Sequence, residues 1–192
     1  MRVSILHILL ITVLSLSSAY SQSERKRVKI NTHTSFVEIH GTTNVNSFNC
    51  SYNAKLPENE FEVTLIKKGN VIEVEHEALF LKVLNFKCPN PQMSDDLHDL
   101  LEYEDYPYII FQVKKITNKK TAHIMIEMAG EKQFYTVNLN NSLNNNQLIS
   151  NATMELCITD FGLQPPEKFF GMVKVNENIE VEFKIEMNFY NK

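Results

Sequence analysis

Alternation of apolar and polar residues is the main pattern of the chain, and it is cleanest near the C-terminus. There Ile179, Val181, Phe183, Ile185, Met187 and Phe189 alternate with Glu180, Glu182, Lys184, Glu186 and Asn188. A period of two places these sets on opposite faces of a strand, one buried and one wet, as in an antiparallel sheet. The same reading extends along the chain. Phe36, Val37 and Ile39 lead into a turn at Gly41 and its threonines, and Phe48, Cys50 and Tyr52 continue the hairpin. Lys55 to Glu60 is polar and contains Pro57, a loop. Phe61, Val63 and Leu65 alternate with Glu62 and Thr64, and Gly69-Asn70 turns the chain into Val71. Val71 to Phe86 is long enough for a bent strand whose apolar phase is lost at Ala78 to Leu81, which predicts a bulge or a break. Strands follow at Tyr108 to Ile116, Ala122 to Met128 and Phe134 to Leu139, with Ala129-Gly130 starting the turn between the last two. Asn138 to Asn151 holds seven asparagines and predicts a long exposed loop. Leu156 and Ile158 resume the sheet, and Phe161-Gly162 with Pro165-Pro166 turns it again.

The period changes once. Between Cys88 and Pro107, Ser94 is placed to cap a helix over Ser94 to Leu101, with Asp95 and Asp96 in its first turn. Met93, Leu97, Leu100 and Leu101 then share one face. Two turns are too few for an independent helix, so the stripe must lie on an apolar surface, as a lid or plug on a sheet. Pro107 restarts the backbone as a strand, with Ile109, Phe111 and Val113 on one face and Tyr108, Ile110 and Gln112 on the other. The pattern predicts an all-β fold: an extended antiparallel barrel of about eight strands with one short helix near one mouth. No crossover helices are available for a parallel sheet.

Met93, Asp96, Leu97, Leu100 and Leu101, followed by Tyr106, Pro107, Ile109 and Phe111, read M-x-x-D-L-x-x-L-L and Y-P-x-I-x-F. This pair of motifs resembles the signature of the YceI-like family of lipocalin-like bacterial barrels. Ser35 to Phe48 resembles that family's opening hairpin, and Thr159 to Pro166 its late turn, so the resemblance covers most of the chain beyond the leader. Ser47 stands where the family often has glycine. The resemblance implies a lipocalin-like barrel that binds a polyisoprenoid chain. Strand parity puts Ile109, Phe111, Ile124, Ile126, Val181, Phe183 and Ile185 on the inner face, and the resemblance places Ile109 and Phe111 in the motif strand directly after the lid. A bound apolar chain is expected to lie against these residues, with Leu97 and Leu101 closing the mouth.

The N-terminus carries Arg2, a mostly apolar run from Ile5 to Leu16, and small residues at Ser17, Ser18, Ala19 and Ser21. That is the form of a secretory signal peptide over residues 1–21, cleaved after Ala19 or Ser21, with a barrel domain over 22–192. A membrane anchor needs about 18 apolar residues, and this run is shorter and interrupted by His7, Thr12 and Ser15. The first cysteine is Cys50, so the leader lacks the cysteine of a lipoprotein. The expected location is periplasmic or secreted.

Composition then narrows the function. Loss of Arg2 takes the formal net charge from −4 to −5, and the main basic cluster, Arg25-Lys26-Arg27, is terminal, so nucleic acid is not an expected partner. Three cysteines leave one thiol over and allow three pairings; Cys50 with Cys88 is favoured, because both lie near the ends of sheet segments before the helix. Beyond the leader, His33, His40, His76, His98 and His123 show no metal-binding spacing, and Asp95, Asp96 and Asp99 fit a helix start without chemistry. G-x-S-x-G, P-loop and dinucleotide motifs are absent, and with five glycines no enzyme and no cofactor is expected. The sequons at Asn49 and Asn151 have no role in a bacterial chain, which the resemblance implies. Twelve phenylalanines, seven tyrosines and seven methionines supply apolar surface instead. An eight-stranded barrel either fills its interior with side chains or holds one ligand. Two functions therefore stand: a lumen that carries an isoprenoid or other lipid, and a filled scaffold that meets an envelope protein through its outer surface or Asn-rich loop.

Overall fold

The computed structural model describes residues 22–53, 56, 60–76, 78–168 and 172–191. The expected leader and most of the expected loop over Lys55 to Glu60 lie outside the described residues. Along the chain run β1 (Gln22–Ile30), β2 (Phe36–Thr42), β3 (Ser47–Tyr52), β4 (Phe61–Lys68), β5 (Val71–His76), β6 (Leu79–Lys82), β7 (Phe86–Lys87) and α1 (Pro91–Leu100). After the helix come β8 (Tyr108–Thr117), β9 (Thr121–Met128), β10 (Glu131–Asn138), β11 (Asn140–Asn144), β12 (Gln147–Cys157), β13 (Glu167–Lys168), β14 (Val173–Lys174) and β15 (Asn178–Asn191). Among the described residues thirteen strands form one sheet, and β13 with β14 form a separate pair. The alternating runs of the sequence subdivide into this larger number because several are interrupted; Val71 to Phe86 alone yields β5, β6 and β7.

Two long strands organise the wall. The first half of β8 pairs β6, Leu79 opposite Phe111 and Leu81 opposite Ile109, while its end pairs β5, Ile72 opposite Ile116. Likewise β15 pairs β2 through residues 180–184 and β1 through residues 187–191, with β12 along its other edge. The barrel thus has two tiers, an upper one walled by β2 and β6 and a lower one walled by β1, β4 and β5. The break between β5 and β6 is secured by His76, whose Nε2 accepts from the Val113 amide at 3.2 Å, where β8 bulges. At the seam, β10 and β12 lie side by side without a ladder. Side chains join β10 to the turn that follows β12: Gln133 Nε2 donates to the Asp160 carbonyl at 2.7 Å, and the Tyr135 ring stacks on Phe161.

The helix starts earlier than Ser94. Asn90 is the N-cap, its side chain accepting from the Met93 amide at 2.8 Å, and Pro91 occupies the first turn, where no amide is needed. Ser94 instead points inward, its Oγ accepting from the Cys88 amide at 3.0 Å, and His98 is buried with Nε2 2.9 Å from the Phe86 carbonyl. The core-facing stripe is therefore Ser94, His98 and Leu101, with Leu97 and Leu100 half-buried at its flank. Cys50 and Cys88 are joined by a disulfide that fixes β3 to the helix approach, and Cys157 is free.

The Asn-rich run is a hairpin, not a loop. Asn140 to Asn144 pair with Gln147 to Asn151 around a turn in which Asn145 has φ 52°. Asparagine tolerates that left-handed conformation, and β11, exposed along its whole length, places no polar side chain in the core. Ser47 pairs regularly with Thr42, because Thr43 and Asn46 close the β2–β3 turn through their own side chains.

Candidate functional site

Inside the upper tier lies a cavity of about 90 Å³ whose fifteen lining side chains are all apolar. Strand parity explains the lining: Val37 and Ile39 from β2, Leu79 and Leu81 from β6, Ile109 and Phe111 from β8, Ile126 and Met128 from β9, Met154 and Leu156 from β12, and Ile179 to Ile185 at every second position of β15. Phe86, from β7, completes it. Phe111 and Phe183 meet edge to face across the space, ring centroids 6.0 Å apart. Among the described residues no titratable group lines the cavity, so these side chains recognise apolar matter.

A second concavity, about 500 Å³ and open to solvent, lies between α1, the β2–β3 turn and the segment around Val173. Met93, Leu97 and Leu100 face Phe48, Val45, Pro166, Val173 and Val175 across it, with Asn90, Gln92 and Asp96 among the polar groups. Phe48 can lean across this mouth because its partner is Gly41: a Cβ there would stand 2.3 Å from the phenyl ring.

Of the nine residues expected to hold an apolar chain, Ile109, Phe111, Ile126, Val181, Phe183 and Ile185 line the cavity together. Leu97 lies in the mouth groove, and Leu101, 3% exposed, sits in the core beneath the helix. Ile124 is buried further along β9, opposite Val113 and Tyr135, beyond the cavity. Sequence reasoning passed over Val37, Ile39, Leu79, Leu81, Phe86, Met128, Met154, Leu156 and Ile179. For most of these the signal was present as alternation, but only the strand register reveals which inward residues share a level.

One buried polar atom lies near the seam. Tyr135 Oη has no hydrogen-bond partner among the described residues, and burial first, then Asp160 and Cys157, pushes the phenol up to about 12. Asp95, Asp96 and Asp99 remain on the helix and form no cluster with histidine among the described residues. No helix among the described residues is long and apolar enough to cross a membrane.

The sequence profile of the YceI-like domain matches residues 22–187. The fold is similar to that of BcnA from Burkholderia cenocepacia, at 13% identity and TM-score 0.59, covering 82% of this chain and 98% of that one. It is similar also to a polyisoprenoid binding domain from Saccharophagus degradans implicated in plant cell wall breakdown, at 7% identity and TM-score 0.60, covering 84% and 97%. No curated protein sequence matches the chain.

Proposed function

From the premise that the chain belongs to the YceI-like family, we propose that it is an exported, non-catalytic binding protein that holds a long apolar molecule, an isoprenoid or other lipid, in the barrel lumen. The observation that carries this reading is the wholly apolar cavity of the upper tier. Apolar atoms that fill a cavity of 90 Å³ contribute about 2 kcal/mol at roughly 24 cal/mol per Å³. The space holds a few methylene groups, whereas ligand sites commonly measure about 300–1,000 Å³, so a chain enters by displacing side chains. Met128 and Met154 are suited to that, being unbranched and adaptable, and rotation of the Phe111–Phe183 pair opens the centre. A polar head group would stay outside this apolar lining.

The small size of the cavity equally favours a second reading, in which the interior is a filled core and the barrel presents an outer surface to an envelope protein. The two separate on one comparison. Phe183→Gln places an unpaired amide in the lumen and is expected to abolish co-purification of extractable lipid, whereas Lys184→Gln, facing outward, retains it. Equal lipid recovery from both folded variants overturns the lumen reading in favour of the scaffold.

A further inference from the structure

The outer face of the barrel carries a side-chain cluster separate from the lumen. Glu38 and His40 stand two apart on β2 and so share a face, and Glu38 lies directly opposite Glu182 of β15. His40 Nε2 is 3.7 Å from Glu38 Oε2 and 3.6 Å from Glu182 Oε2. One ligand atom from each of the three falls within 4.8 Å of the others. Two details distinguish this from an ordinary ion pair on a sheet surface. His40 Nε2 is shut off from solvent and has no hydrogen-bond partner among the described residues, although it faces two carboxylates. Glu38 is also held from behind: its Oε1 accepts from Asn49 Nδ2 at 2.6 Å and from Ser51 Oγ at 2.8 Å, while Oε2 is the oxygen nearer His40. Outer-shell donors that orient a carboxylate in this way are a regular part of metal sites.

We propose that Glu38, His40 and Glu182 form a binding site for a divalent transition-metal ion, Zn²⁺ foremost, with water completing the coordination. Ligand atoms about 2.1 Å from a tetrahedral zinc stand about 3.4 Å apart. The two distances to His40 Nε2 need to contract by only a few tenths of an ångström, and the two carboxylate oxygens, within 4.8 Å of one another, close the remainder by side-chain rotation. A donor set of one imidazole and two carboxylates suits Zn²⁺ or Mn²⁺; Mg²⁺ and Ca²⁺ prefer oxygen alone, and Cu⁺ prefers sulfur. Glu180, opposite both His40 and Glu155, adds negative charge on the same face, while Lys184 lies two positions beyond Glu182. A protonated histidine simply paired with carboxylates is the competing account, and it requires no metal.

Titration of the metal-stripped, untagged protein with Zn²⁺ against a chromophoric chelator decides between them. One equivalent is expected to bind and to raise the melting temperature, and His40→Ala and Glu182→Gln are each expected to lose it. Ser51→Ala, which removes only a donor behind Glu38, is expected to weaken binding by about 10- to 100-fold. His33→Ala, on the β1–β2 connection, is expected to change nothing. The site is refuted if the folded wild-type chain takes up no equivalent, or if folded His40→Ala and Glu182→Gln both bind Zn²⁺ as the wild type does.

Discussion

Glu186 is 8% exposed, and its carboxylate accepts from Asn31 Nδ2 at 2.9 Å and Gln147 Nε2 at 2.8 Å. Hydrogen bonds from Asn31 and then Thr34 hold its carboxyl below the ordinary value of 4.5. A carboxyl lowered on folding contributes stability that is complete above that ordinary value and is lost as pH falls through the folded value. Glu186→Gln, which turns an acceptor into a donor among donors, should cost about 1–3 kcal/mol near neutral pH. It should also remove part of the decline toward acid, measured by urea denaturation across pH 3 to 7 at intervals of about one unit. An unchanged acid limb would show that another group carries it. Tyr135 is expected to behave oppositely. Its hydroxyl is buried without a partner, so Tyr135→Phe should raise stability by up to about 1 kcal/mol, and a clear loss would show that Oη is bonded in solution. Neither residue was legible as special. Glu186 sits on the face of β15 that alternation marks as wet, and only the β1–β2 connection folding over it makes it buried.

At the scale of elements, the short helix depends on its approach. Asn90→Ala removes the side-chain cap and should destabilise the protein by about 1 kcal/mol, while the disulfide from Cys50 to Cys88 closes a separation of 38 residues. Reduction of a cross-link of that span should cost about 3–4 kcal/mol on the chain-entropy account, read as a lower denaturation midpoint in the presence of reductant. A midpoint indifferent to reductant would contradict the bridge in solution. The existence of the helix was legible from Leu97, Leu100 and Leu101, but its start was not, because Ser94 and Asn90 both have capping side chains. Tertiary contacts chose between them: the Cys88 amide needs an acceptor, and Ser94 Oγ supplies it from inside. The Asn-rich hairpin was hidden for a related reason. Its β11 residues have no buried face, so the ladder leaves no apolar alternation to read, and the turn rests on Asn145 in a left-handed conformation.

For the molecule as a whole, the long strand β15 made the β architecture readable, since apolar and polar residues alternate without a break from Ile179 to Phe189. The division into tiers was not readable. It depends on β15 meeting β2 and β1 in succession along one edge, a register that single-sequence parity cannot supply. The same limit separates Ile124, inward but below the cavity, from Ile126, which lines it. The proposed function requires the upper tier to open around an apolar chain. Native mass spectrometry of the protein purified from its own cells tests this most directly. The account predicts a folded species heavier than the polypeptide by the mass of one apolar compound, which organic extraction removes and which Phe183→Gln lacks. A folded protein at the bare polypeptide mass, with nothing in the organic extract, would contradict it.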